Sequence, residues 1–394
     1  MDLSPVYILS AVRTPIGKFG GALAPLSAVE LGSAAARAAI GRSGVRPEEI
    51  EEVIMGHARL AGCGPNPARQ VVRKAGLPDS VPAFTVNKAC ASGLKAITLA
   101  ASAIWIEGRE LVLAGGMESM SNTPYLMKRA RWGYRLGHAE VEDAMYTDGF
   151  MCPLCSTLMG GTAENLADRY TIARREQDEY ALLSQQRSAQ ASKAGLFRDE
   201  IEPVTVPSKK GDVVVSVDEH PRADTTLESL ASLAPVFRKN GTVHPGNSSG
   251  ITDGAAAVVV ASETAVKRLG ARPLARLTAF NSVGVDPAFM GTGPVPSVRS
   301  LLERTGLNLA ALDLIELNEA FASQVLACQR ELNFDMDRVN VNGGAIALGH
   351  PIGATGARIV TTLLHELARR QGRFGLATLC VSGGMGMSLL FERA

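Results

Sequence analysis

A cysteine stands in a turn of small residues at Val86-Asn87-Lys88-Ala89-Cys90-Ala91-Ser92-Gly93-Leu94-Lys95-Ala96, just before an apolar, helix-like stretch. A thiol at a helix N-terminus lies at the positive end of the macrodipole, beside unpaired backbone N–H groups. That position favours the thiolate, which is the nucleophile. Two later segments supply further parts of such a site: His350 in Gly349-His350-Pro351-Ile352-Gly353, and Cys380 at the head of Cys380-Val381-Ser382-Gly383-Gly384-Met385-Gly386. One cysteine alone is more often inert core. A cysteine in a small-residue turn, a Gly-His-Pro loop and a second cysteine before a glycine run together point to covalent chemistry at a thiol.

The elements that must carry these residues come in two copies. Gly44-Val45-Arg46-Pro47-Glu48-Glu49-Ile50 matches Gly306-Leu307-Asn308-Leu309-Ala310-Ala311-Leu312, so that position 44 maps to 306 at an offset of 262. Ser92-Gly93-Leu94-Lys95 parallels Thr355-Gly356-Ala357-Arg358 at an offset of 263, and Ala114-Gly115-Gly116-Met117 parallels Ser382-Gly383-Gly384-Met385 at 268. Near-equal offsets argue for two copies of one module. In each copy, β-branched apolar runs (Val6 to Ser10, Glu52 to Met55, Leu111 to Ala114) alternate with Ala-rich helical stretches (Leu31 to Gly41, Gly93 to Gly108). That order predicts an α/β fold with helices on both faces of a mixed sheet. The first copy takes 1–120 plus 250–270, closing on the strand Ala255 to Val260. The second takes 271–394. Between them an excursion over 121–249, with helical periodicity from Ala163 to Ala194 and a short run at Val213 to Val215, is too long for a bare loop and reads as an inserted subdomain that carries function.

With 394 residues and 46% hydrophobic side chains the chain can furnish proper cores, and a net charge of +1 without a basic block suggests no nucleic-acid partner. The stretch from Met1 to Leu9 has no signal-like or transit-like pattern, Phe391-Glu392-Arg393-Ala394 is not a peroxisomal signal, and no apolar run approaches the ~20 residues that cross a bilayer. A cytoplasmic protein without a membrane partner is expected. The six cysteines, 63, 90, 152, 155, 328 and 380, read as reduced thiols. Cys152-Pro153-Leu154-Cys155 has the spacing of redox and zinc sites, but no second such pair completes a zinc site, so no metal is expected and these two read as ordinary loop residues.

From end to end the chain resembles the thiolase family of acyl-CoA acetyltransferases. The resemblance is carried by the segments around Cys90, His350 and Cys380, and by Ala11-Val12-Arg13-Thr14-Pro15-Ile16-Gly17 and Asn66-Pro67-Ala68-Arg69-Gln70. It continues through Leu113-Ala114-Gly115-Gly116-Met117-Glu118-Ser119-Met120, Asn318-Glu319-Ala320-Phe321-Ala322 and Val341 to Gly356. The resemblance implies two β-α-β-α-β-α-β-β halves packed into five α-β-α-β-α layers, with buried helices between two sheets. It implies a reversible condensation of two acetyl-CoA to acetoacetyl-CoA and CoA, or thiolytic cleavage of a 3-ketoacyl-CoA, through an acyl-Cys90 intermediate. The alternative is a β-oxidation thiolase preferring longer chains.

By that resemblance His350 activates Cys90, since a neutral imidazole can take the thiol proton. Cys380 is the acid/base thiol for the acetyl methyl group. His350 and a water held by Asn318 form one oxyanion hole; the amides of Cys90 and Ser382 form the other. The family pattern there is Cys-x-Gly-x-Gly, and this chain has Ser382 at the first Gly position. A backbone donor needs no particular side chain, so the hole is expected to survive unless Ser382 requires a positive φ. Coenzyme A, a substrate rather than a resident cofactor, is assigned to Arg222, Ser229, Phe237 and Ser249 of the insert and its border, with Met159, Ala320 and Phe321 lining the acyl end. Leu158 replaces a His found there in many short-chain members. A homo-oligomer is implied, most simply a tetramer built as a dimer of dimers.

Overall fold

The computed structural model describes residues 4–394, so Met1, Asp2 and Leu3 of the N-terminal stretch read above lie outside the described residues. The first half runs β1 (Val6–Arg13), α1 (Ala28–Ser43), β2 (Glu52–Gly56), α2 (Pro67–Lys74), β3 (Ala83–Val86), α3 (Ser92–Glu107) and β4 (Leu111–Ser119). The chain then leaves the sheet, builds α4 (Met159–Arg169) and α5 (Arg174–Lys193) among short hairpins, and returns as β5 (Thr252–Ser262). The helical periodicity from Ala163 to Ala194 is thus two helices, broken where Thr171 takes a φ of 51°. The second half is β6 (Ala275–Gly284), α6 (Pro294–Thr305), β7 (Leu314–Leu317), α7 (Ala322–Leu332), α8 (Ile352–Arg369), β8 (Phe374–Val381) and β9 (Met385–Arg393).

These strands order as β7-β8-β9-β6-β1-β5-β4-β2-β3. The two halves meet edge to edge where Val6, Tyr7 and Ile8 of β1 pair with Leu277, Arg276 and Ala275 of β6. Side chains alternate faces along each strand. Leu111 and Leu113 of β4 and Ala257 and Val259 of β5 pack with α1 and α2 on the outside. Their neighbours Val112, Ala114, Val258 and Val260 join α3 and α8 on the inside, together with Leu379 of β8 and Leu389 of β9. Helices α6 and α7 cover the far face of the second half. The result is five layers with α3 and α8 at the centre.

The helix Ala89–Glu107 is long and apolar enough to cross a membrane by composition, contrary to the expectation that no run approaches that length. It is apolar because it is enclosed between the two halves of the sheet, as the core helix of a water-exposed fold can be.

Two of the three offsets have a structural counterpart. Gly44 and Gly306 both end a helix in the left-handed region, at φ 74° and 68°. Each is followed by a 3-10 turn, Pro47–Glu49 and Leu309–Ala311. The third fails. Gly115 and Gly116 lie inside β4, whereas Gly383 and Gly384 form the turn between β8 and β9 at φ 87° and 81°. A Cβ on Gly116 would stand 2.1 Å from the Gly353 carbonyl oxygen. Close approach demands glycine in the first pair, and left-handed backbone demands it in the second.

Candidate active site

Cys90 sits immediately before α3 in a turn fastened by short-range bonds. The Asn87 side chain accepts from the Ala89 N–H at 2.9 Å, and the Ser92 hydroxyl accepts from the Lys88 N–H at 2.9 Å while donating to the Ala89 carbonyl at 2.7 Å. Ala89 is held at φ 46°, a conformation that costs a non-glycine residue about 1–3 kcal/mol and is found at functional turns. The turn presents a half-buried sulfur toward the N–H groups of Ser382 and of Cys90 itself. Burial raises the Cys90 thiol above its ordinary value, although those amides and the Arg59 charge pull it down. The helix terminus therefore does not make a resting thiolate here, as the sequence reading expected. A base is needed.

A candidate for that base stands at the head of α8. Gly349, at φ 100°, presses so close to Thr252 that a Cβ would clash at 2.2 Å, and the next residue, His350, donates its N–H to the Gly250 carbonyl at 3.0 Å. The Thr355 hydroxyl donates to the Pro351 carbonyl at 3.0 Å, so it accepts from His350 Nδ1 at 2.6 Å. This assigns the proton to Nδ1 and leaves the Nε2 lone pair free. Nε2 is buried and finds no partner among the described residues. Burial, with the Arg358 and Arg59 charges, pushes the imidazole down to about 3, so it stays neutral at physiological pH.

Cys380, at the end of β8, is fully enclosed, and burial and the neighbouring Cys90 push its thiol well above the ordinary range. It packs with Met159, Phe237, Ala320 and Phe321, the rings of Phe237 and Phe321 meeting edge to face at 6.2 Å. Gly160 admits this arrangement, since a Cβ there would stand 2.4 Å from the Phe237 ring. Asn318 follows β7, is 1% exposed, and neither its Oδ1 nor its Nδ2 has a partner among the described residues. Buried amides that lack partners hold a water or a ligand group. Ser382 is absent from the left-handed residues, the positive φ being taken by Gly383 and Gly384 instead. Its N–H is therefore delivered without strain.

Residues assigned to coenzyme A fall in two groups. Met159, Phe237, Ala320 and Phe321 converge on Cys380, and Ser249 donates its N–H to the Ala320 carbonyl at 3.0 Å. Arg222 and Ser229 lie apart on the exposed surface of the insert. Ser229 is occupied locally: its hydroxyl donates to the Thr226 carbonyl at 2.8 Å, closing the cap of the short helix Leu227–Ala231.

The model of the thiolase N-terminal domain matches residues 6–264, and that of the C-terminal domain matches 271–393. The chain belongs to the thiolase family. Acetyl-CoA acetyltransferases of Allochromatium vinosum and Pseudomonas aeruginosa are 51% and 52% identical to it. The first match covers 98% of this chain and 99% of the relative, the second 99% and 100%. Among solved structures, the Bacillus anthracis acetyl-CoA acetyltransferase superposes with a TM-score of 0.98 at 47% identity, over 100% of this chain and 99% of that one. Human mitochondrial 3-ketoacyl-CoA thiolase in complex with CoA superposes at 0.96 and 44% identity, over 99% and 98%.

In this thiolase several residues support the site that sequence reasoning left without a role. Thr355 sets the His350 tautomer. Glu118 accepts from the N–H groups of Ala58, Arg59 and Gly353 at 3.3, 3.1 and 2.8 Å and pairs with His57 at 3.2 Å. It thereby ties together the loops behind both catalytic turns. Burial lowers the His57 pKa, but the Cys63 thiol and Glu118 outweigh it and raise the imidazole to about 9, so the pair is ionic. Glu319 accepts from Tyr180, Ser184, Asn340 and the Ile346 N–H at 2.7–3.1 Å, anchoring the residue beside Asn318. Glu118 and Glu319 were both visible in recognised segments. The partners of Glu118 lie 59 to 235 positions away in sequence, so spacing carried no signal of the network.

Proposed function

We propose that this thiolase is an acetyl-CoA C-acetyltransferase that condenses two acetyl-CoA, or cleaves acetoacetyl-CoA, through an acyl group on Cys90. One observation carries the reading: a thiol facing two backbone N–H groups shares its site with a neutral imidazole, whose Nε2 has no partner among the described residues, and with a second, enclosed thiol. His350 Nε2 takes the Cys90 proton, and the thiolate attacks the acetyl carbonyl. The oxyanion that develops lies against the Cys90 and Ser382 amides. CoA departs as a thiolate and takes the proton of Cys380, which converts that thiol into the base for the methyl group of the second acetyl-CoA. The enolate oxygen then rests between His350 and a water on Asn318. Because the acyl-enzyme is a thioester like the substrate, each transfer is near-balanced and reversible.

The names of the 51–52% identical relatives and the packed wall of Met159, Phe237 and Phe321 support a short acyl group over a long chain. The reading assigns Arg222 and Ser249 to the nucleotide and pantetheine, with Ser229 a weaker contact because its hydroxyl already serves the cap. Free thiols throughout and the bacterial relatives support a cytoplasmic enzyme of fatty-acid metabolism. The exposed edge of β3, together with an apolar arm over residues 125–146, supports a dimer of dimers.

Incubation with acetyl-CoA followed by peptide mass mapping should place one acetyl group on Cys90. Cys90→Ser should lower turnover by at least about a thousandfold, since an alkoxide at neutral pH is scarce. Label on Cys380 or Cys155 would overturn the assignment.

A further inference from the structure

Arg59 takes no part in the steps above, yet its guanidinium is buried beside the proposed nucleophile. Its loop is fastened to the turns that carry Cys90 and His350. The Asn87 side chain donates to the Ala58 carbonyl at 3.2 Å, and the Arg59 N–H shares the Glu118 carboxylate with the Gly353 N–H. The guanidinium lies over the Phe150 ring, its Cζ 5.8 Å from the centroid. Phe150 and Cys90 pack against one small apolar cluster of Ala58, Met120, Met145 and Ile352, so the cation and the thiol border the same space. Gly149 makes room for the side chain, since a Cβ there would overlap Arg59 Nη2.

What this cation lacks is an anion. Arg59 is 5% exposed, and only its Nη1 finds an acceptor, the Asp148 carbonyl at 3.1 Å. Nε and Nη2 are buried without a partner among the described residues. The nearby carboxylate is already engaged: Glu118 pairs with the His57 imidazolium at 3.2 Å and accepts three backbone N–H groups. That pair balances its own charges and leaves one positive charge enclosed and uncompensated. A buried charge without a counter-ion is costly. Nε and Nη2 share one edge of the guanidinium plane, the two-donor fork that a carboxylate fits.

We propose that Arg59 is a carboxylate receptor through which Cys90 accepts short acyl groups that end in a carboxylate, the CoA half-thioesters of dicarboxylic acids, in addition to acetyl. The inference rests on the acyl-transfer reading given above and names a further substrate class for that site. The covalent step is the one acetyl undergoes. The acyl carbon's bond to the CoA sulfur breaks as its bond to the Cys90 sulfur forms, and the departing CoA thiolate takes its proton as before. The distal carboxylate makes and breaks no covalent bond. It docks on the Nε–Nη2 edge and satisfies both donors and the enclosed charge. A methyl end on a chain of the same length leaves them unsatisfied, and unpaired polar groups in a site are what reject an analogue most strongly. In the direction of cleavage the corresponding substrate is a short 3-ketoacyl-CoA with a carboxylate at its far end.

The test is a competition on the whole protein. Two acyl-CoA thioesters of equal chain length are offered together at equal concentration, succinyl-CoA with butyryl-CoA, and glutaryl-CoA with pentanoyl-CoA. The acyl groups on the Cys90 peptide are then compared by mass. The expected result is an excess of the dicarboxylic group of about tenfold or more in at least one pair. Arg59→Gln and Arg59→Leu should abolish that excess, and Arg59→Lys, a point charge without the fork, should keep only part of it. Each protein reports a ratio from one mixture, so a variant that is slower with every thioester is still read. Equal labelling of the wild type in both pairs, an excess of the methyl-ended group, or a preference that survives in Arg59→Leu would overturn the receptor and leave Arg59 as a brace for residues 148–150. No acyl group at Cys90 from any of these thioesters or from acetyl-CoA would overturn the acyl-transfer reading, and the receptor with it.

Discussion

His350 and Cys380 are both held uncharged by enclosure, and the roles proposed for them, a base and an acid, are separable. Cys380→Ala should still accept an acetyl group onto Cys90, a step that needs only Cys90, His350 and an oxyanion hole. It should fail to exchange acetyl methyl protons with deuterated water, because abstraction at carbon needs a further base within reach. Exchange at the wild-type rate would transfer that role to His350. The imidazole also has a consequence for stability. An unfolded histidine titrates near 6.5 and the folded one near 3, so between these values the unfolded chain binds a proton that the folded chain does not. Stability present above pH 6.5 is therefore lost as pH falls through this window, by about 1.4 kcal/mol per pH unit from this residue. Urea midpoints measured from pH 6.5 to 4.5 should decline less steeply in His350→Asn. An unchanged slope would remove His350 as the cause.

Cys90 and His350, the proposed nucleophile and base, precede two helices, α3 and α8, whose N-terminal turns touch. A Cβ on Gly93 would stand 2.6 Å from the Ala357 N, and one on Gly356 would stand 2.3 Å from the Leu94 N. These glycines are the pair related by the 263-residue offset, so the duplication places the same close-approach residue on both central helices. Each helix carries a residue of the proposed site at its start, Cys90 for α3 and His350 for α8. Backbone here leaves no room for a methyl group, and overpacking a close-packed interior costs about 1–3 kcal/mol. Gly356→Ala should lower the thermal midpoint by several degrees and slow acetylation of Cys90 by mass assay. A variant with unaltered midpoint and acetylation rate would show that the contact is not limiting.

At the scale of the molecule, the sheet ends on β3, a strand whose second edge has no neighbour among the described residues, with Phe84 exposed on it. An unprotected edge is a template for pairing with another chain. The arm between Tyr125 and Tyr146 carries Trp132 and Leu136 at 86% and 98% exposure, together with Tyr125 and Val141. Large apolar side chains gathered on an arm mark an association surface. The two surfaces are separate, which suits two kinds of contact in a dimer of dimers. Trp132→Asp with Leu136→Asp should convert a tetramer into a dimer in sedimentation velocity while leaving β3 pairing intact. A wild-type protein that sediments as a monomer at micromolar concentration would refute the assembly.

Local signals sufficed for the family and for the alternation of strands and helices, and they singled out Cys90, Asn318, His350 and Cys380 for the proposed site. Each is written in a contiguous stretch whose residue types have a direct chemical or conformational meaning. Protonation was not legible in this way. A helix terminus argued for a thiolate at Cys90, but the sum of burial and neighbouring charge raises that thiol, and such sums depend on segments that are distant in sequence. The tautomer of His350 depended on which way the Thr355 hydroxyl donates. The glycine pairs at 115–116 and 383–384 read alike and align, yet one exists for backbone contact and the other for backbone twist. The carboxylate of Glu118 gathers donors from two segments far apart in sequence, at 58–59 and at 353. Composition and spacing specify which groups the chain possesses; only packing decides which of them share a dielectric, a hydrogen bond or a proton.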